Sequence, residues 1–131
     1  MRCSSPVFGL VQTNCRDPSA ASRFVQIGNA LGANVIAVDL HDEKLDIAAD
    51  QGAVAGVNAA EVDDVSAEIE AITDGGADVS VDALGIADTC RNSVNCLRKT
   101  GQHVQIGMTT KEEGGEITLP TDMMALNEIT F

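Results

Sequence analysis

The stretch Asn34–Leu40, NVIAVDL, is a β-branched apolar run closed by an acid, and Asp42–Asp50 (DEKLDIAAD) follows it with a helical composition. A short continuous apolar run between polar residues fits a strand buried on both faces, as in a parallel sheet. Leu45, Ile47 and Ala48 are expected on the inner face of the helix, and Gly52 stops it. Working outward, the alternation repeats. A short strand at Ala55–Asn58 precedes an acidic helix over Glu61–Thr73, with Val62, Val65, Ile69 and Ile72 at helical spacing. Asp78–Leu84 (DVSVDAL) reads as a strand and Ala87–Arg98 as a helix, with Val94 and Leu97 in its core stripe. Gln102–Met108 (QHVQIGM) is a strand after a turn at Thr100–Gly101. Repeated βα units of this kind build a parallel sheet, so the fold class is α/β.

Toward the N-terminus, Ser19–Leu31 is predicted as a helix with Asp17 as its N-cap and Pro18 at the first helical position. Phe24, Ile27 and Leu31 stand at core spacing. Pro6–Val11 is a weak strand. Toward the C-terminus, Glu116–Leu119 reads as an edge strand and Thr121–Leu126 as a short helix. Glu128–Phe131 reads as a strand that has just begun where the sequence stops, so a fragment of a longer protein is expected.

Eight Lys and Arg stand against 20 Asp and Glu among 131 residues, a net charge of -12, and only three of the bases are lysines. Such a surface repels phosphate backbones and anionic membranes, so neither nucleic acid nor membrane is expected as a partner. With three Phe and no Trp or Tyr there is little on which an unpaired base could stack. An acidic, lysine-poor surface that needs salt to screen its self-repulsion fits a halophile. An acidic protein in ordinary salt is the alternative. No apolar run approaches the roughly 20 residues of a membrane span, and no secretion signal opens the chain, so a cytoplasmic location is expected.

Cys3, Cys15, Cys90 and Cys96 form no CxxC pair and no zinc-finger layout, so free thiols are expected. His41 and His103 are lone histidines expected to face solvent. Asp63–Asp64 and Glu112–Glu113 read as solvated charge on a polar helix face and in a Gly-bounded loop. No residue is assigned as catalytic or as a metal ligand. Asp39 is different, because an acid ending the strand after the first helix is where a dinucleotide fold binds the adenosine ribose hydroxyls. A carboxylate there repels a 2′-phosphate, which favours NAD over NADP. Position alone leaves a second reading open, a loop acid or cap for the helix at Asp42.

Asn29–Leu40 (NALGANVIAVDL), Asp42–Ile47 (DEKLDI), Gly75–Gly85 (GGADVSVDALG) and Gly101–Met108 (GQHVQIGM), in this order and spacing, resemble the cofactor domain of medium-chain, zinc-dependent alcohol dehydrogenases. The resemblance runs from Phe24 to Phe131. It implies a Rossmann-like, doubly wound parallel sheet over residues 24–131, with residues 1–23 a divergent first strand and turn. It implies further that Asp39 and Lys44 bind the adenosine ribose of NAD. Ala83, Leu84 and Gly85, with Ile106, Gly107 and Met108, would lie beside the nicotinamide. The family's zinc ligands belong to a separate catalytic domain outside this sequence, and its sheets pair across edge segments matching Glu116–Leu119 and Glu128–Phe131, which implies a homo-oligomer.

One departure stands out. The glycine-rich phosphate turn should fall just before Phe24, yet residues 16–21 read RDPSAA and no GxGxxG occurs. Pro18 lacks an N–H and Asp17 carries the charge of the anion it would have to meet. The expected function is therefore the NAD-binding domain of an alcohol dehydrogenase-like oxidoreductase with weakened cofactor binding. The alternative is a non-catalytic α/β nucleotide-binding or dimerisation module.

Overall fold

The computed structural model describes the backbone of residues 7–12 and 18–131 and the side chains from residue 22 onward. Five strands, β1 (Val7–Gln12), β2 (Asn34–Asp39), β3 (Ala55–Asn58), β4 (Ala77–Asp82) and β5 (Leu97–Gln105), form a sheet in the order β3-β2-β1-β4-β5. Every pairing is parallel. The helices are α1 (Pro18–Ala30), α2 (Asp42–Asp50), α3 (Val65–Thr73), α4 (Ala87–Asn95) and α5 (Thr121–Leu126). The chain builds outward from β1 to β3 and then returns to lay β4 against the other side of β1. This is the Rossmann-like, doubly wound sheet expected. The reversal of direction between β1 and β4 opens a crevice at the C-terminal ends of the strands.

The apolar run of β2 is explained by its two faces. Ile36 and Val38 pack with Val57, Val65 and Ile69 beneath α3, whereas Val35 and Ala37 pack with Val25 and Ala48 beneath α1 and α2. Successive side chains of a strand point to opposite faces, so a strand covered on both sides must be apolar throughout. Asp39 ends the run at the rim.

Several boundaries differ from those read in the sequence. The α1 residues expected in the core, Phe24, Ile27 and Leu31, are 39%, 60% and 74% exposed, and fully buried Val25 takes their place. One turn on, a Cβ on Gly28 would come within 2.7 Å of the Val35 side chain, so α1 lies on β2 through its small-residue stripe. Ile47 and Ile72 also face outward. Helix α3 starts at Val65 rather than Glu61, because the Asp64 carboxylate accepts the Ala67 N–H at 3.1 Å and caps it there. Strand β4 covers Ala77–Asp82 rather than Asp78–Leu84.

Helix α4 ends at Asn95, and Leu97 opens β5, five residues before the expected start. The reason is a break in register: Ala77 pairs with Leu97 but Val79 with Gln102. The intervening residues include Thr100 at φ 67, which gives the local turn signal read there. No strand forms at Glu116–Leu119, whereas α5 lies where it was expected. Of Glu128–Phe131, Thr130 alone pairs, parallel to Gln102 of β5. The expected cap Asp17 lies outside the described residues, while Pro18 does open α1. Among the described residues no helix is long and apolar enough to cross a membrane.

Candidate functional site

Asp39 closes β2 and is buried. Its Oδ1 accepts the His41 N–H at 3.0 Å, and its Oδ2 lies 3.9 Å from Lys44 Nζ. One oxygen thus orders the entry to α2, the loop-acid reading of the sequence, and the other faces Lys44 in the first turn of the helix. Lys44 points back because it is two residues past the start of α2, on the side that overhangs the strand end. The Asp39 carbonyl accepts the Ala59 N–H at 2.9 Å, which ties the ends of β2 and β3 together.

Asp39 opens onto a cleft of about 530 Å³ at the C-terminal rim of the sheet, where Leu40, Val62, Leu84, Ile86 and Arg91 also contribute walls. That volume lies in the usual range for a small-ligand pocket. Apolar side chains line part of it, and the exposed acids Asp63, Asp64 and Asp88 stand at its rim. Arg91 is held by Asp88 at 2.8 Å. Asp63 and Asp64 thus stand ahead of α3 at the mouth of the cleft rather than on a helix face.

The second group of sequence candidates converges on the ends of β4 and β5. The N–H groups of Ile106 and Gly107 both donate to the Asp82 carbonyl at 2.9 Å. Gly85, at φ +89, has its backbone against that of Gly107, so close that a Cβ on it would lie 2.5 Å from the Gly107 carbonyl carbon. Leu84 and Gly85 therefore adjoin Ile106, Gly107 and Met108. Leu84 lines the cleft that Asp39 lines, while Met108 projects outward and is exposed.

Sequence reasoning missed Asp82. It is fully buried, and its carboxylate accepts from the Leu84 N–H (2.9 Å), the Gly85 N–H (3.1 Å), the Thr89 hydroxyl (3.1 Å) and Gln105 Nε2 (2.9 Å). The available signal was an acid at a strand end three residues before a glycine, the pattern of a side chain that holds its own turn. His103, expected in solvent, is buried as well. It sits between Ser80 and Gln105, and burial pushes its imidazole below the ordinary value of 6.5 against the opposing pull of the Gln105 hydrogen bond and the Asp82 charge. Glu113 is also more than solvated charge: its Oε1 accepts the Ala87 N–H at 2.5 Å, which fastens the loop after β5 to the start of α4. Cys90 and Cys96 are free thiols, as expected, and both are buried. Among the described residues no three His, Cys, Asp or Glu side chains converge as a metal site.

A parallel sheet wound in this order, with an acid ending β2 and a cleft at the reversal point, defines a Rossmann-like domain. The chain belongs to the zinc-binding dehydrogenase family, whose sequence profile matches residues 22–131. It is 35% identical over 109 residues to an NAD-dependent alcohol dehydrogenase of Sulfurisphaera tokodaii, an alignment that covers 82% of this chain and 30% of that protein. Among solved structures, an alcohol dehydrogenase zinc-binding domain protein from Burkholderia ambifaria superposes with a TM-score of 0.83 at 24% identity, over 98% of this chain and 33% of that one. Benzyl alcohol dehydrogenase from Acinetobacter calcoaceticus gives 0.83 at 22% identity, over 97% and 33%. This chain thus spans about a third of the length of these relatives.

Proposed function

We propose that this chain is the nicotinamide dinucleotide-binding part of an NAD-dependent alcohol dehydrogenase, with residues 24–131 as the binding domain and residues 1–23 as a divergent first strand and turn. The observation that carries the reading is Asp39 at the end of β2 with Lys44 3.9 Å from its carboxylate, on a cleft that also reaches Leu84. Asp39 would accept the ribose hydroxyls, Lys44 would support them from α2, and Val62 and Ile86 would give the adenine apolar contact. Ala83, Leu84, Gly85, Ile106, Gly107 and Met108 would flank the nicotinamide. The backbone contact of Gly85 with Gly107 supports this, because a flat ring can approach only where no side chain intervenes. In the whole protein NAD would accept a hydride from an alcohol carbon, and its reduced form would return one to a carbonyl carbon. The described residues offer no donor set for zinc, so no zinc step is assigned to them.

Binding by this chain alone should be weak and should come from the adenosine end. Residues 16–21 offer the pyrophosphate an acid and a proline in place of glycines, and Asp63, Asp64 and Asp88 add negative charge at the cleft mouth. Losing two charge-assisted hydrogen bonds of about 1.5–3 kcal/mol each weakens binding by roughly two to four orders of magnitude. Titration with NAD, adenosine and ADP tests the reading. The expected result is millimolar affinity, adenosine binding lost in Asp39→Ala, and NAD affinity raised about tenfold or more when residues 16–21 are rebuilt as a GxGxxG turn. Micromolar binding of NAD by the native chain would overturn the phosphate-turn argument. No binding of NAD or adenosine would favour the second reading, a non-catalytic α/β module, which the missing glycines support.

The acidic composition supports a cytoplasmic protein of a salt-accumulating cell. Self-association is proposed through the C-terminal edge, where Thr130 has begun to pair beside β5 and Phe131 is exposed. Light scattering should show a dimer or larger species, and a monomer at tens of micromolar would count against it.

A further inference from the structure

We infer that Asp82 is a positioning residue whose carboxylate, through Gln105, holds the Leu84–Gly85 and Gly107 backbones in register and orders the protons along a buried chain ending at His103 and Ser80. This rests on the reading of the cleft as a dinucleotide site.

The chain of bonds has one direction. Gln105 Nε2 lies 2.9 Å from Asp82 Oδ2 and 2.9 Å from the Gly107 carbonyl oxygen, both of which only accept when the acid is ionised. Turning the amide over would set its oxygen against two acceptors, so its orientation is forced. Gln105 Oε1 must then accept, and the group 2.8 Å away is His103 Nε2, which therefore carries the ring proton. His103 Nδ1 is left with a lone pair and accepts the Ser80 hydroxyl at 3.0 Å. Ser80 and Asp82 are 0% exposed and His103 4%, so water does not compete for these bonds. One anion thus decides the tautomer of a ring two residues earlier on β5, and burial favours the neutral form of that ring.

The same oxygens fix the geometry of the candidate ring site. Asp82 Oδ1 holds the Leu84 and Gly85 N–H groups, Oδ2 reaches Gln105, and Gln105 grips the Gly107 carbonyl. The two turns that touch at Gly85 and Gly107 are therefore joined through the side chains of Asp82 and Gln105 as well as through their backbones. A neutral amide at position 82 cannot reproduce this, because its N–H₂ would face the N–H₂ of Gln105. Gln105 must turn over, release the Gly107 carbonyl and present a donor to His103, which then shifts its proton to Nδ1.

Nitrogen-15 NMR of the imidazole in the full chain reads this directly. The native chain should show His103 as the Nε2–H tautomer, Asp82→Asn should convert it to Nδ1–H, and Thr89→Val, which removes a donor without changing the acceptors, should leave it as it was. An unchanged tautomer in Asp82→Asn overturns the proposal. If that variant does not fold, Gln105→Met serves: both tautomers should then be populated, and retention of Nε2–H alone overturns the inference. Titration of NAD and adenosine, followed at the amides, separates positioning from packing. NAD should shift the Gly85 and Gly107 amides and adenosine should not. In Asp82→Asn those shifts should vanish, with adenosine affinity unchanged. Shifts that persist in Asp82→Asn, or a fall in adenosine affinity, overturn the positioning role. If the native chain binds adenosine but NAD leaves Gly85 and Gly107 untouched, the positioning role fails and the adenosine reading stands. If it binds neither, the dinucleotide reading fails and the positioning role with it, while the tautomer still reports the proton order.

Discussion

Gly85 and Gly107 touch through their backbones where β4 and β5 end, and a Cβ on Gly85 would lie 2.5 Å from both the Gly107 carbonyl carbon and the Met108 carbonyl oxygen. Neither neighbour is a flexible side-chain tip, so the contact cannot be relieved by a rotamer change. Gly85 also sits at φ +89, which other residues adopt only under strain. Gly85→Ala is therefore expected to destabilise the chain by about 2–4 kcal/mol. Urea unfolding measures this, and a loss below about 0.5 kcal/mol, within the range of ordinary surface substitutions, would show that the two turns can part.

His103 makes stability depend on pH near neutrality. Burial lowers its proton affinity in the folded chain below the ordinary 6.5, so the unfolded chain takes up the proton first as pH falls. The stability that neutral His103 supports is complete above 6.5 and is lost as pH falls toward the folded value. The limiting slope is about 1.4 kcal/mol per pH unit. Denaturant midpoints measured from pH 7.5 to 5 should decline in the native chain and decline less in His103→Gln. Equal slopes would place the titrating group elsewhere.

The cysteines of α4 and its end should be inert. Burial, with the charges of Asp82 and Glu113 beside it, pushes the Cys90 thiol up to about 11, and burial pushes Cys96 up to about 12 against one opposing backbone hydrogen bond. Thiolate is the reactive form. Iodoacetamide at pH 8 should leave both unmodified in the folded chain and label both in urea. Peptide masses decide it, and rapid labelling of Cys90 without denaturant would mean that α4 opens readily.

Salt should stabilise the chain. A net charge of -12 with three lysines leaves most acids without a partner base, and molar salt shortens the reach of their repulsion to a few ångströms. The thermal midpoint should rise by several degrees from low salt to molar potassium chloride. A flat or falling midpoint would remove the halophile reading.

The order of strands and helices from β2 to β5 was legible in the sequence because its causes are local. NVIAVDL is apolar at every step because both its faces are covered, and the acid that ends it marks the rim where Asp39 and Lys44 meet. What only the tertiary structure decided depends on partners distant in sequence. Helix α1 carries two interleaved apolar stripes, and the stripe of Val25 and Gly28 faces the sheet in place of Phe24, Ile27 and Leu31 because the small residue allows closer approach to Val35. Leu97 looks helical beside Val94, yet it belongs to β5 because Ala77 of β4 pairs with it. His103 looks like a solvent-facing histidine until the register sets it opposite Ser80 and between two hydrogen-bond partners. Periodicity shows that a residue can be buried, but whether a polar one is, and with whom, is decided by hydrogen bonds between strands more than 20 residues apart in the chain.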